Sequence, residues 1–265
     1  MMYEKVRFDD NDENAFLEVY VSDKVGDFVC NAILVIPGGG YAEVCSDREG
    51  EPIAQAFIPY GYNAFVLHYS VGKKPFPSHL IQASKAMKYI KDNAERYNIN
   101  PDKVFAVGFS AGAHLAATLG TMWRKEEIYK EIDMPKGYNK PAGMMLIYPV
   151  ISAKHHELSF KNLLMDEYNC AEKLKMCSIE NCVDENSSPA YIFHTSNDEC
   201  ADVKNSLALA NALADKGINF EMHIYPDAPH GVALGNKVTC CGVEKWCNAA
   251  ISKWVENAVL WAENL

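Results

Sequence analysis

Five residues near the middle of the chain have the types and spacing that activate a serine hydroxyl. The segment Gly108-Phe109-Ser110-Ala111-Gly112 follows a short apolar run, Lys103 to Val107, and precedes an alanine-rich helical pattern, Ala113 to Gly120. A G-x-S-x-G sequence between a strand and a helix is typical of a sharp turn that exposes the serine hydroxyl above a sheet. The glycines are needed because such a turn leaves no room for side chains beside the serine. The pattern predicts that Ser110 is a nucleophile.

His230 is the histidine best placed to act as the base for this serine. A serine hydroxyl needs a base that takes its proton and an acid that orients the base, and after such a turn the chain order is serine, acid, histidine. His230 follows a predicted strand in the loop Asp227-Ala228-Pro229-His230-Gly231, where proline and glycine hold it outside regular structure. Catalytic side chains are common on such loops, so the sequence predicts that His230 is the base.

Five further histidines have positions that favour structural roles. His194 ends a predicted buried strand and is expected to pack or hydrogen-bond against the loop of the candidate acid. His223 lies within an alternating strand and is expected to be a half-exposed strand residue. His114 lies four residues into the helix after the serine and is expected to pack locally. His155 and His156 are adjacent in a long connection and are expected to be solvated.

A carboxylate directly after the predicted strand Ala190 to His194 is the candidate acid. Asp198 lies in the segment Thr195-Ser196-Asn197-Asp198-Glu199, with Glu199 as the near alternative and Asp202 as the far one. Asp202 is also a suitable cap for the helix that is predicted to follow. Asp198 is therefore the predicted acid, whose carboxylate would accept a hydrogen bond from the imidazole and stabilise the imidazolium.

A glycine-rich loop and the serine turn are candidates for the hydrogen-bond donors that a tetrahedral intermediate requires. One donor is expected to be the backbone N–H of Ala111, the residue after Ser110. The others are expected from Pro37-Gly38-Gly39-Gly40-Tyr41, which follows the apolar run Asn31 to Ile36. Glycines let main-chain N–H groups turn inward without side-chain clashes. They do not form a G-x-G-x-x-G pattern here, so no dinucleotide site is predicted.

The composition argues against several classes of partner. The chain has 265 residues, a formal net charge of −10 and no long basic run. This charge argues against nucleic acid or an anionic membrane as partner and favours neutral or cationic substrates. The N-terminal residues Met1 to Asp12 lack an apolar segment, so no secretory signal is predicted. The longest apolar stretch, Ala142 to Ile151, is about half of the ~20 residues of a membrane span and is predicted to be a buried strand.

The nine cysteines of the chain have a pattern that indicates free thiols. Their odd number, their irregular spacing and the lack of a secretory signal favour reduced cysteines and a cytoplasmic location. The pair Cys177 and Cys182, like the group Cys240, Cys241 and Cys247, lacks the histidine partners and the ligand spacing of a zinc site. The sequence thus predicts neither a metal nor an organic cofactor.

Strand-like and helix-like segments alternate along the chain and would position these residues. Alternation of this kind is typical of an α/β protein with a mostly parallel central sheet and helices on both faces. Strands are predicted at Leu17 to Val21, Asn31 to Ile36, Asn63 to Tyr69, Val104 to Val107, Gly143 to Tyr148, Ala190 to His194 and Phe220 to Tyr225. Helices are predicted at His79 to Tyr97, Ala113 to Gly120, Asp202 to Lys216 and Gly242 to Glu263, the last with Trp246, Ala250, Trp254 and Trp261 facing the core.

The chain is predicted to form a single domain over residues 1–265. No internal repeat, low-complexity segment or interdomain linker interrupts it. Two connections, Trp123 to Pro141 and Ser152 to Pro189, are longer than usual. The second contains a predicted short helix, Phe160 to Glu167, and residues 153–189 are predicted to form a small partial lid over the site.

These motifs resemble those of the α/β-hydrolase superfamily, in particular the esterase and lipase branch that contains acetyl-xylan esterases and related carbohydrate deacetylases. The resemblance extends from about Ala32 to Leu234. The segments that carry it are Pro37 to Tyr41, Gly108 to Gly112 with His114-Leu115-Ala116-Ala117, Tyr148-Pro149-Val150, Phe193-His194-Thr195 leading to Asp198, Asn205-Ser206-Leu207, and Glu221 to Tyr225 leading to His230-Gly231.

The resemblance implies the α/β-hydrolase fold and a serine esterase mechanism without a cofactor. It also implies a short-acyl ester as substrate, with acetyl on a carbohydrate such as a xylo-oligosaccharide as the first choice. The predicted partner is thus a small-molecule or oligosaccharide ester, and a homo-oligomer is a further expectation. The residues so implied are Ser110, Asp198 and His230 as the triad, Gly39, Gly40 and Ala111 at the oxyanion hole, and Tyr41 beside the acyl pocket.

The sequence departs from the family pattern at positions around the cleft. Pro37 replaces the histidine that lipase-like relatives have before the glycines, as in deacetylase-like members, and Tyr69-Ser70 replaces the common Tyr-Arg. Ala201-Asp202 replaces the usual Val-Pro, and Gln82 stands where an acid is usual. These positions shape the loops around the cleft and so bear on the choice of substrate, while the triad is intact.

Three other functions are open at this point. A peptidase of the same fold usually carries an additional large domain, for which this sequence has no room. A non-catalytic binding protein would not need competent residues at all three triad positions. A dienelactone-type hydrolase usually has a cysteine nucleophile, where this chain has Ser110.

Overall fold

A central sheet of eight strands organises the described part of the chain. The computed structural model describes residues 1–9, 12–72 and 74–265; Asp10 and Asn11 of the charged N-terminal segment, and Lys73, lie outside the described residues. The strands are β1 (Met2–Arg7), β2 (Phe16–Val21), β3 (Cys30–Ile36), β4 (Tyr62–His68), β5 (Ile99–Phe109), β6 (Met144–Ile147), β7 (Ala190–Thr195) and β8 (Phe220–Tyr225).

The order of the strands creates a crevice at one end of the sheet. They lie in the order β1-β2-β4-β3-β5-β6-β7-β8. All neighbours from β4 to β8 are parallel, whereas β2 pairs antiparallel with both β1 and β4. From β3 the chain moves to one side, to β4, and then returns across β3 to β5. Ligands of open α/β sheets bind beyond the carboxyl ends of the strands at such a reversal.

The parallel strands are apolar because both of their faces are covered. Successive side chains of β3 point to opposite faces, so Ala32 and Leu34 enter the core on one side of the sheet, and Ile33 and Val35 enter the core on the other. All four side chains are fully buried. The two-sided core explains the near-continuous apolar run in this segment.

Helices cover both faces of this sheet. Buried residues of α3, α4 and α8 belong to the core on one face, and those of α2 and α9 belong to the core on the other. No helix among the described residues is both long and apolar enough to cross a membrane. The helices are α1 (Ser46–Glu49), α2 (Glu51–Phe57), α3 (Ser78–Asp92), α4 (Ala111–Met122), α5 (Glu126–Tyr129), α6 (Glu157–Leu164), α7 (Ala171–Cys177), α8 (Lys204–Asp215) and α9 (Trp254–Glu263).

The predicted strands all occur, and the predicted α/β class with a mostly parallel sheet is confirmed. The prediction for Phe220–Tyr225 matches β8 at both ends, whereas β5 is longer than predicted and begins at Ile99. The first strand, Met2–Arg7, is missing from the sequence-based prediction. It lies at the edge of the sheet with mostly exposed side chains, so its sequence lacks the apolar alternation of a half-buried strand.

The predicted C-terminal helix from Gly242 to Glu263 is wrong in its first half. This part contains two 3-10 turns, Glu244–Trp246 and Ile251–Lys253, and an α-helix begins only at Trp254. Gly242 has a φ of 77°, and the side chain of Asn248 accepts the backbone N–H of Ala250. Such local hydrogen bonds compete with those of a helix.

This change of backbone alters which side chains are buried. Trp254 and Trp261 lie in the core, as predicted. Ala250 is exposed, because the turn that contains it faces solvent, and the prediction that it faces the core is wrong. Trp246 is only half-buried and lines a cavity beside His230 that is described below.

The long connection between β6 and β7 contains two helices rather than the single one predicted. The predicted helix Phe160 to Glu167 corresponds to α6, which begins earlier, and to a 3-10 turn at Met165–Glu167. The second helix is α7. The side chain of Asn162 on α6 donates a hydrogen bond to the carbonyl of Gly40 at 2.8 Å, which ties this connection to the glycine loop. The description of residues 153–189 as a lid stays a prediction.

Candidate active site

Ser110 occupies a strained turn between β5 and α4. Its φ of 52° and ψ of −117° are rare for a residue with a side chain. A Cβ atom on Gly108 would lie 2.3 Å from the carbonyl oxygen of Gly112, and one on Gly112 would lie 2.1 Å from the carbonyl oxygen of Ile36. The two glycines of the motif are therefore required by close backbone contacts, and the turn holds the serine at the carboxyl end of the sheet.

Ser110, His230 and Asp198 form one continuous chain of hydrogen bonds. The Nδ1 atom of His230 lies 2.7 Å from Oδ2 of Asp198, and its Nε2 lies 2.9 Å from Oγ of Ser110. An ionised carboxylate only accepts hydrogen bonds, so Nδ1 carries the proton and Nε2 accepts from the serine hydroxyl. The three side chains follow β5, β7 and β8, whose carboxyl ends meet at the same edge of the sheet. This arrangement can remove the proton from Ser110 when the hydroxyl attacks.

The carboxylate of Asp198 is buried, ionised and fixed in orientation. Its Oδ1 atom accepts the backbone N–H groups of Cys200 and Ala201 at 2.8 and 2.9 Å. Burial alone would raise the pKa of Asp198, but hydrogen bonds from His194, His230 and the Ala201 N–H outweigh it and hold the pKa well below its usual range. The carboxylate therefore remains charged and able to stabilise an imidazolium.

The expectation that His194 bonds to the loop of the acid is confirmed. Its Nε2 atom lies 2.8 Å from the carbonyl oxygen of Ala201 and 3.4 Å from Oδ2 of Asp198, and its Nδ1 lies 2.7 Å from Oγ of Ser206. A fully buried imidazole thus anchors the loop between β7 and α8. His194 thus supports the candidate acid through Ala201, Asp198 and Ser206.

The remaining alternatives lie outside the hydrogen-bonded chain. His223 is half-exposed on β8 and pairs with Glu221 at 2.7 Å. Asp202 accepts the backbone N–H of Lys204 at 2.9 Å, just before α8. Glu199 faces a cavity beside His230 without an ion pair to any described residue.

His156 departs from the expectation that it is solvated. It is half-buried in the wall of a cleft that also contains Ser110 and His230, and its Nδ1 accepts the N–H of Ser159 at the start of α6. Burial, with the nearby His230 adding to it, lowers the pKa of His156. The His156 imidazole in the cleft wall is therefore neutral at pH 7. The sequence carried no signal for it, because the pairing of α6 with the cleft is a tertiary feature.

The glycine loop lies directly against the serine turn. A Cβ atom on Gly38 would lie 2.7 Å from the carbonyl oxygen of Phe109 and 3.1 Å from Cβ of Ser110. Gly39 and Gly40 have φ values of 120° and 64°, which favour glycine, and both line the cleft with Ser110. Ala111 is the first residue of α4, so its N–H belongs to the first turn, whose donors have no partner within the helix.

Tyr41, which is predicted to flank the acyl pocket, lies beneath the glycine loop. Tyr41 is 1% exposed and does not line the cleft. It has a φ of 60°, which turns its side chain into the core beneath the glycine loop. There its ring packs against His79 and His114, with ring centroids 5.0 and 5.7 Å away. Tyr41 therefore supports the glycine loop from below through its contacts with His79 and His114.

His114 packs locally, as expected, and accepts a hydrogen bond from Tyr41. Its Nε2 atom lies 2.7 Å from the carbonyl oxygen of Cys177, and its Nδ1 lies 2.7 Å from the Tyr41 hydroxyl. A carbonyl only accepts, so Nε2 carries the proton and Nδ1 accepts the hydroxyl. Burial lowers the pKa of His114 to about 4, so the ring is neutral at pH 7. Its two hydrogen bonds link α4 to the glycine loop and to the end of α7.

Glu49 is a buried residue of the site that sequence reasoning missed. Its Oε2 accepts the backbone N–H of Gly38 at 2.8 Å, and its Oε1 accepts the hydroxyl of Tyr148 at 2.8 Å. The Tyr148 hydroxyl in turn accepts the N–H of Ala233, and the Tyr148 ring lies 4.9 Å from that of His230. Burial raises the pKa of Glu49 despite these hydrogen bonds. The carboxyl group thus joins the glycine loop to the loop that carries the histidine.

The cleft in front of Ser110 is small and opens towards a second, larger cavity. Its volume is about 330 Å³, and its wall includes Gly39, Gly40, Leu158, Ser159 and His230. All nine cysteines are free. Among the residues that the structure describes, no group of three or more histidine, cysteine, aspartate or glutamate side chains could hold a metal ion.

The fold and the order of the site residues define an α/β-hydrolase. A serine turn after one strand, followed by an acid and a histidine after later strands, is the arrangement of this class. The structure of the carboxylesterase Cest-2923 from Lactobacillus plantarum shares the fold, with a TM-score of 0.87 at 24% identity over 100% of this chain and 98% of that one. The chain belongs to the BD-FAE family, whose model matches residues 17–213.

Two named relatives of this chain are hydrolases. The endo-1,4-beta-xylanase B of Butyrivibrio fibrisolvens is 35% identical over 213 residues, which are 78% of this chain and 33% of the relative. The acetylxylan esterase of Xylanibacter ruminicola is 29% identical over 212 residues, 77% of this chain and 41% of the relative. This chain thus spans well under half the length of both relatives.

A solved structure matches this chain over nearly its whole length. It is the acetyl ester-xyloside bifunctional hydrolase from Caldicellulosiruptor lactoaceticus, which is 30% identical with a TM-score of 0.84. The match covers 98% of this chain and 96% of that one.

Proposed function

We propose that the protein is a serine esterase that hydrolyses carboxylic esters through an acyl-enzyme. The observation that carries the proposal is the continuous chain of hydrogen bonds from Ser110 through His230 to Asp198 beside a glycine-lined cleft. In this proposal Ser110 is the nucleophile, His230 is the base and later the acid, and Asp198 orients the imidazole and stabilises its charged form.

The proposed reaction has two balanced halves. The Ser110 oxygen forms a bond to the ester carbonyl carbon while its proton moves to Nε2 of His230. When the carbonyl reforms, the bond to the alcohol oxygen breaks, and the alcohol leaves with the proton from His230. Water then attacks the acyl-enzyme by the same route, releasing the carboxylic acid and restoring Ser110.

The backbone N–H groups of Gly39, Gly40 and Ala111 are the proposed donors to the oxyanion. The close contact of Gly38 with the serine turn and the left-handed backbone of the two following glycines support this role. Donors that are already in position when the charge develops lower the barrier most effectively. The link from Gly38 to Glu49 helps to fix the loop.

The proposed substrate is a short-acyl ester, with acetyl on a carbohydrate as the first choice. The cleft in front of Ser110, with a volume of about 330 Å³, has room for a short acyl group. The names of the acetylxylan esterase from Xylanibacter ruminicola and of the acetyl ester-xyloside hydrolase from Caldicellulosiruptor lactoaceticus point to esters of xylose-based sugars. A xylo-oligosaccharide that carries acetyl groups fits both observations.

A series of p-nitrophenyl esters from acetate to octanoate tests the proposal, with the wild type beside Ser110→Ala. We expect hydrolysis of the short esters and a loss of at least about a thousandfold in the variant. Equal activity in Ser110→Ala would refute the role of this serine, and a preference for octanoate would refute the short-acyl specificity. Cleavage of amino-acyl anilides in preference to aryl acetates would instead indicate a peptidase.

A further inference from the structure

A second cavity adjoins the cleft on the side of the histidine. Its volume is about 630 Å³, and Cys200 and His230 line both it and the smaller cleft. Cavities of roughly 300–1,000 Å³ hold drug-sized ligands. The second cavity is therefore large enough for a short oligosaccharide, and far larger than a simple alcohol requires.

The geometry of ester hydrolysis assigns the two spaces to the two halves of a substrate. The carbonyl oxygen must face the glycine loop, whereas the leaving oxygen must lie beside Nε2 of His230, which protonates it. The acyl group therefore occupies the smaller cleft, walled by Gly40, Leu158 and Ser159. The alcohol projects past His230 towards the second cavity.

A half-buried tryptophan forms one wall of this second cavity. One face of Trp246 is covered by the guanidinium of Arg48, which lies 4.8 Å from the ring centroid. The same Arg48 donates a hydrogen bond to the carbonyl of Gly231, next to His230, at 3.2 Å. Arg48 thus fixes the indole relative to the histidine.

Hydrogen-bonding side chains surround this tryptophan. Asn197 donates to Asp227 at 2.7 Å, and Asn248 donates to the backbone carbonyl of Asp227 at 3.1 Å. Glu199 and Lys245 line the cavity without an ion pair to any described residue. An aromatic surface with nearby amide, carboxylate and ammonium groups suits a neutral polyol, whose C–H face can pack on the ring while its hydroxyls form hydrogen bonds.

We infer that the cavity beside Trp246 binds the sugar of the leaving alcohol and selects carbohydrate esters over simple esters. This inference rests on the proposed function, because the position of the alcohol is derived from the step in which His230 protonates the leaving oxygen. Trp246 is the stacking surface, and Glu199 is a hydrogen-bond partner for sugar hydroxyls. Both are specificity-determining residues outside the chain of hydrogen bonds that activates Ser110.

Kinetics with two acetyl esters test the inference. Acetylated xylotriose reaches the second cavity, whereas ethyl acetate has an alcohol too small to do so. For Trp246→Ala we expect the KM for acetylated xylotriose to rise roughly tenfold, and kcat/KM for ethyl acetate to stay within about twofold of the wild type. Glu199→Gln should raise the KM for the sugar ester by a smaller factor, with ethyl acetate again unaffected.

Two controls separate specificity from general damage. Trp246→Phe keeps an aromatic ring and should retain most of the discrimination, and Trp123→Ala removes an indole that lines neither cavity. Equal losses on both esters in Trp246→Ala, or no change on either, would overturn the inference. Failure of the proposed function has a different signature, namely Ser110→Ala retaining activity on ethyl acetate.

A binding measurement tests the inference without turnover. In Ser110→Ala, xylotriose should quench the fluorescence of Trp246, the half-exposed indole beside the site, and the quenching should vanish in Ser110→Ala/Trp246→Phe. Trp254 and Trp261 are buried, and Trp123 lines neither cavity, so these three indoles provide a constant background. Absence of quenching at millimolar xylotriose, or equal quenching in the double variant, would contradict the inference. This measurement does not depend on whether Trp246→Ala folds.

Discussion

At the scale of single residues, the site combines groups that sequence patterns reveal with groups that they do not. Ser110, Asp198 and His230 could be predicted, because each follows a strand at the position that this type of turn requires. Glu49 could not be predicted, because its partner Tyr148 is 99 residues away and nothing in the sequence around Glu49 marks it. The family resemblance places Tyr41 beside the acyl pocket, whereas in the structure its ring lies in the core, where the backbone has a positive φ.

Replacement of Asp198 by asparagine tests the role of the acid. The amide oxygen can still accept the N–H groups of Cys200 and Ala201, so the loop should keep its structure. The amide nitrogen then faces Nδ1 of His230 and favours the wrong tautomer. We expect kcat for p-nitrophenyl acetate to fall by about 10³–10⁴-fold with little change in KM. A loss below tenfold would show that another group orients the histidine.

Replacement of Glu49 by glutamine tests it as a positioning residue. The carboxylate accepts from two donors, Gly38 N–H and the Tyr148 hydroxyl, whereas an amide has a single acceptor atom. The glycine loop should lose its fixed position, so we expect kcat to fall about tenfold or more while KM changes little. Glu51→Gln, an exposed neighbour, is the matched control. A higher KM with unchanged kcat would mean that Glu49 acts on binding instead.

At the scale of elements, backbone contacts between β3, β5 and α4 determine where the serine lies. The parallel strands and the buried helices could be predicted, since their apolar patterns reflect burial. The structure of residues 242–253 could not be predicted. Their apolar spacing is that of a helix, but the positive φ of Gly242 and the side-chain hydrogen bonds of Asn248 produce turns instead. That departure from a helix places Trp246 in the wall of the second cavity, next to His230.

Gly112 packs so closely against β3 that we expect no side chain to be tolerated at this position. A Cβ on Gly112 would lie 2.1 Å from the carbonyl oxygen of Ile36, whereas one on Gly217 would meet no atom within 4 Å. We expect Gly112→Ala to lower the free energy of unfolding by several kcal/mol and to abolish activity. Gly217→Ala, with its φ of 65°, should cost only about 1–2 kcal/mol. Urea unfolding compares the two, and equal losses would contradict the contact argument.

At the scale of the whole molecule, two buried histidines make the fold sensitive to acid. His79 and His114 lie on α3 and α4 on either side of Tyr41, and burial is the main cause that lowers the pKa of each to about 4. In the unfolded chain these two histidines take up protons as the pH falls below the ordinary histidine pKa of 6.5. The folded chain takes them up only near pH 4. The stability that the two neutral histidines contribute is therefore fully present above pH 6.5 and decreases as the pH falls towards 4.

The pH dependence of unfolding tests this effect. We expect each histidine to account for a loss on the order of 3 kcal/mol between pH 7 and pH 4. In His114→Gln the free energy of unfolding, measured in urea, should be lower at pH 7 but should decrease less on acidification. A slope identical to that of the wild type would show that His114 is not the group that titrates.

The central claim is that Ser110 carries the acyl group during turnover, and trapping that intermediate tests it most directly. The enzyme is mixed with p-nitrophenyl acetate, quenched in acid within the first turnovers, digested and analysed by mass spectrometry. We predict an acetyl group on the peptide that contains Gly108 to Gly112, located at Ser110, and none on this peptide in Ser110→Ala. Acetyl on a different residue, or turnover of the ester without any acetylated Ser110, would contradict the account.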